Sequence, residues 1–128
     1  MTSVEYATNG YDDVRSYVYN NHNWLALVDD TGTEHIRWDL LANTNVTVTS
    51  DATSNPIEYE ITVTGQDLVD AGATLPVSLQ TQELYLTSSA TTPLASQVIE
   101  DSSGTDTTAT LEATTDEVLL TFTNSWPQ

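Results

Sequence analysis

At 128 residues, the chain carries 19 Asp and Glu against two Lys and Arg, Arg15 and Arg37, for a formal charge of -17. That balance argues firmly against nucleic-acid binding, which depends on neutralising phosphates with Lys and Arg. The absence of cysteine excludes disulfides, thiol nucleophiles, thiolate zinc sites and iron–sulfur clusters.

The length fits one domain that holds together without a metal or cross-link. No run approaches the ~18 apolar residues of a membrane span. The opening MTSVEYATNG has neither a basic nor an apolar stretch, so no secretory leader is expected and exit by lysis or within a particle is. Soluble strands usually place Lys on exposed edges, whereas this chain uses Asp, Glu, Thr and Ser. Such a charge repels itself in dilute buffer. Molar salt shortens the Debye length to about 3 Å and removes most of that cost. A protein built for very saline water is therefore expected. Disorder has the same composition, so the hydrophobic pattern must separate the two.

Residues 1–10 read as an extended arm. Over 12–19, acids at the start and Val14, Tyr17 and Val18 at i, i+3, i+4 predict one or two helical turns, with a strand over Tyr17–Tyr19 as the alternative. Asn20–Asn23 is a breaker. Trp24–Val28 and Thr33–Trp38 form a hairpin about Asp29-Asp30-Thr31-Gly32, its glycine supplying a positive φ and its two tryptophans placed to meet across the ladder. A corner follows over 39–43.

Val46 and Val48 then alternate with threonines. Ile57, Tyr59, Ile61 and Val63 alternate with Glu58, Glu60, Thr62 and Thr64, which a disordered chain has no reason to do. Residues 66–76 form a longer corner with a helical turn at 67–71. Strands are expected at 82–87, 95–100, 107–112 and 117–123, and residues 124–128 form a tail. About seven or eight short strands predict one all-β domain, an antiparallel β-sandwich of Greek-key, jelly-roll or Ig-like type with a short N-terminal arm or helical turn. Long connections at 39–45 and 65–81 favour crossings between sheets over a meander.

Two turns resemble truncated cation loops, making Asp29, Asp30, Glu34, Asp101 and Asp106 the candidate ligands. Neither has the alternate acidic spacing of a calcium loop, so no cofactor is expected beyond weakly held Na+, Mg2+ or Ca2+. His22 and His35 are the only histidines, and abundant Ser and Thr give no spacing signal, so the expectation is not an enzyme. Tyr6, Tyr11, Tyr17, Tyr19 and Trp126 are the candidate partner-binding aromatics near the termini. A sequon, Asn45-Val46-Thr47, stands at a strand start.

The run Val14–Asn21 leading to Trp24–Gly32, together with the Thr-rich segment Thr107–Asp116 and its final strand, resembles small structural proteins of tailed viruses infecting halophilic archaea. That resemblance implies a virion component on the capsid exterior, a decoration or turret subunit without catalytic residues. It implies a homo-oligomer that contacts other capsid proteins and the host surface, with no nucleic acid and no membrane. A receptor- or glycan-binding module and a tail or baseplate piece are the alternatives.

Overall fold

In the computed structural model, residues 8–51, 53–54 and 56–125 are described. Their elements are α1 (Thr8–Asn21), β1 (Trp24–Asp29), β2 (Glu34–Asp39), β3 (Val46–Ser50), β4 (Ile57–Thr64), α2 (Gly65–Asp70), β5 (Val77–Tyr85), β6 (Ala95–Val98), β7 (Ala109–Leu111) and β8 (Glu117–Asn124). The strands make two antiparallel sheets, one ordered β2-β1-β5-β6 with β7 also on β5, the other β3-β4-β8. The chain is thus mostly β, and the segments 40–45 and 65–76 carry it from one sheet to the other.

The alternation in β4 has its expected effect: Ile57, Tyr59, Ile61 and Val63 are buried while Glu60 is exposed. They share one core with Leu120 and Phe122 of β8 and with Leu25, Leu27, Ile36, Leu79 and Leu84 of the other sheet. Burying each such side chain contributes about 1.5–3 kcal/mol.

In β5, alternation breaks. Val28 pairs with Thr81 but Asp29 pairs with Leu79, leaving Gln80 as the extra residue of a bulge. The inward phase flips there, from Val77 and Leu79 to Gln82 and Leu84. The strand therefore starts five positions before the expected 82, and the flip turns Gln82 inward.

The helix α1 is longer than the expected turn or two, and Thr8–Gly10 of the expected arm belong to it. Its buried side runs through Arg15 and Val18, with Tyr11, Val14 and Tyr19 half-buried. Tyr17, expected to share the side of Val14 and Val18, is 60% exposed, because adjacent helical residues point about 100° apart. Side-chain amides close the helix: Asn20 donates to the Ser16 carbonyl and Asn21 to that of Tyr17, both at 2.8 Å.

The hairpin forms as expected around Gly32, whose φ is +86°. Its tryptophans do not meet. Trp24 opposes Asp39 and Trp38 opposes Leu25, so the two rings lie one step apart on opposite faces. Trp38 packs on the core, and Trp24 shares the outer face with Tyr85.

The helix α2 opens with a capping box. Thr64 Oγ1 accepts from the Asp67 N–H at 3.1 Å, and the Asp67 carboxylate accepts from the Thr64 N–H at 2.9 Å. Asn45 donates to the same carboxylate at 2.9 Å and to the Thr62 carbonyl at 3.0 Å, so the sequon amide is tied into this corner.

Candidate functional site

The turns read as cation loops share a different logic. In Asp29-Asp30-Thr31-Gly32-Thr33, Asp29 Oδ1 accepts from the Thr31 N–H, the Thr31 hydroxyl and the Thr33 N–H at 2.7–2.9 Å, and Oδ2 meets His35 Nε2 at 2.7 Å. Asp101-Ser102-Ser103-Gly104-Thr105 repeats the arrangement: Asp101 Oδ1 accepts from the Ser103 N–H and hydroxyl and from the Thr105 N–H. Both glycines have positive φ, and both turns close with an N–H donated by the aspartate to the carbonyl four residues on. The Thr31 hydroxyl, then His35 and the Thr33 amide, hold Asp29 well below the ordinary carboxylate range. The Ser103 hydroxyl does the same for Asp101, followed by the backbone of Thr105 and Ser103. These carboxylates replace the partners that a tight turn leaves wanting.

The remaining cation candidates are dispersed. Asp30 is exposed, Glu34 grips Arg37, and Asp106 bridges backbone to backbone with Glu100. Among the described residues, no three His, Asp or Glu come together in a way that suits a metal ion.

Both arginines are turned to internal use. The Arg15 side chain is 3% exposed and paired to Asp12 one helical turn before it. The Arg37 side chain is 13% exposed: it bonds both oxygens of Glu34, donates to the carbonyls of Thr87 and Ala90, and lies 3.6 Å above the Tyr85 ring. The outward charge is therefore of one sign.

Of the aromatic candidates, Tyr6 and Trp126 lie outside the described residues. Tyr19 stacks on Tyr59 of the core at 6.4 Å and is a packing residue. Tyr11 is half-buried. Tyr17 is exposed, with His22 against its edge at 5.7 Å. Of the three within the described residues, Tyr17 faces outward and Tyr19 inward.

A concavity lies where the two sheets part, between β6 and β8. It is a cleft of about 310 Å³, lined by Gln82, Gln97, Glu100, Asp101, Leu119 and Thr121 among others. Gln82 and Gln97 are directly opposed on β5 and β6. Both reach the edge of β8: Gln82 Nε2 donates to the Thr121 carbonyl at 3.2 Å, and Gln97 Oε1 accepts from the Thr123 N–H at 3.3 Å. Gln82 is 1% exposed, and its Oε1 is buried with no hydrogen-bond partner among the described residues.

No family model, curated protein or solved structure matches this chain.

Gln82, Gln97 and Thr121 escaped the sequence reading. A glutamine has no spacing signature, and the bulge at Gln80 hid the phase that turns Gln82 inward. The available signal was Val77 and Leu79 followed by Leu84, an apolar alternation that changes parity within one strand.

Proposed function

We propose that the chain is a non-enzymatic structural protein of a virus particle, a capsid decoration or turret subunit adapted to high salt, folded as a Greek-key β-sandwich. The observation that carries this reading is the inward use of both arginines beneath an exterior otherwise charged by carboxylates. Such a surface holds water and counterions in brine, and it offers nothing to a polyanion. Two sheets around one core, with crossings at 40–45 and 65–76, support the sandwich. The exposed Tyr17 on α1 supports a contact between copies, since aromatic residues are enriched in such interfaces.

Light scattering behind a sizing column in molar NaCl tests the assembly. A discrete trimer, pentamer or hexamer is expected, as closed symmetry requires. Tyr17→Ser is expected to shift it toward monomer. A monomer at every salt concentration overturns the ring-forming subunit and favours a lone binding module.

A further inference from the structure

The cleft between β6 and β8 is bordered by an unpaired strand edge. β8 closes the order β3-β4-β8 and pairs only with β4 among the described residues. In an antiparallel ladder alternate residues bond to the neighbour, and those between point their N–H and C=O the other way. The Thr121 carbonyl and the Thr123 N–H, held by Gln82 and Gln97, identify the outward set as Leu119, Thr121 and Thr123. At this edge, the primary amides of two glutamines stand where a neighbouring strand would place peptide groups. One of them, Gln82, keeps a buried carbonyl oxygen unpartnered, a cost that an arriving N–H would relieve.

We propose that this seam opens to accept an extended segment of another protein as an added strand on β8, its peptide groups displacing the Gln82 and Gln97 amides from the Thr121 carbonyl and the Thr123 N–H, with a lysine or arginine of that segment seated against Glu100 and Asp101. Main-chain pairing supplies the affinity of such additions, and side-chain pockets supply the choice of partner. Charge selects the occupant: Glu100 and Asp101 line the cleft, and the exposed Leu119 borders it with apolar surface. A second copy of this chain is a poor match, since its formal charge is -17 and both of its arginines are engaged internally. The proposal does not depend on the virion reading.

The test titrates the ¹⁵N-labelled full chain with blocked peptides about eight residues long. They alternate Thr and Val, with a central Arg in one peptide and Glu in the other. With the Arg peptide, the amides of Leu119, Thr121 and Thr123 are expected to shift and gain protection from exchange. It should bind about tenfold tighter than the Glu peptide at low salt. Thr121→Pro removes an N–H that β4 does not use and is expected to weaken binding at least about tenfold. Glu100→Gln, which leaves the backbone untouched, should reduce the preference for Arg about threefold. No shift at millimolar peptide, shifts confined to another surface, or equal binding of both peptides overturns the proposal. Protection of the same amides with a doubling of mass in the absence of peptide assigns the seam to a second copy and overturns it equally.

Discussion

Three residues show how their immediate surroundings decide what a position tolerates. Gly65 is buried at the start of α2, and a methyl group there would sit on the Ala113 carbonyl. That contact is backbone against backbone, because Gly65 N–H donates to Asp116 and Gln66 N–H to Thr114. Gly65→Ala is expected to cost about 3 kcal/mol in chemical denaturation, at the upper end for overpacking. Gln82 is the opposite case. Its buried oxygen lacks a partner, so Gln82→Leu is expected to keep stability within about 1 kcal/mol of the parent or raise it. A loss well beyond that in the same assay would mean the amide is satisfied. At Asp101, Asn retains the acceptor that closes the turn and Ala does not. Thermal melts are therefore expected to place Asp101→Ala below Asp101→Asn.

Among the elements, legibility followed the regularity of the hydrophobic period. β4 was readable from end to end because Ile57 through Val63 never break step. The hairpin was readable because Gly32 sits where a positive φ is needed. β5 was readable only after its bulge, since one extra residue inverts which side chains face the core. In α1 the buried position of Arg15 and the outward Tyr17 run against type, so a polar helix looked shorter than it is. The glutamines of the cleft were not legible, because the groups they hold, on Thr121 and Thr123, belong to a strand of the other sheet. Arg37 was likewise invisible as a fastener, since its partners Thr87 and Ala90 lie far along the chain. Arg37→Met should lower stability by about 2 kcal/mol by removing charged hydrogen bonds. Hydrogen exchange should rise most in residues 86–94, where that side chain holds the loop.

On the scale of the whole molecule, two electrostatic effects oppose one another. Repulsion among unpaired carboxylates weakens as salt is added, so the melting temperature is expected to climb from 0.1 to 1 M NaCl as the Debye length falls from about 10 to 3 Å. A melting temperature independent of NaCl would remove the case for salt adaptation. Acid acts in two stages. Asp29, Asp51, Asp101 and Asp116 are all held below the ordinary value, by hydroxyl and amide donors led by Thr31, Thr53, Ser103 and Glu112 respectively. A depressed folded value gives stability that is full above the unfolded value near about 4 and is lost as pH falls through the folded one. At low salt, acidification from neutral pH first relieves repulsion and then strips these turns. Circular dichroism melts across pH should therefore peak a little above pH 4 and fall steeply below it.

Because both arginines turn inward, the outer carboxylates are balanced by ions from solution. A protein whose outer surface is a polyacid travels with a cloud of sodium ions, and a cationic segment entering the seam would set some of them free. Dilution would then loosen the fold while tightening the grip on such a partner. The two slopes against salt have opposite sign, so there is a salinity at which the chain is both folded and most adhesive.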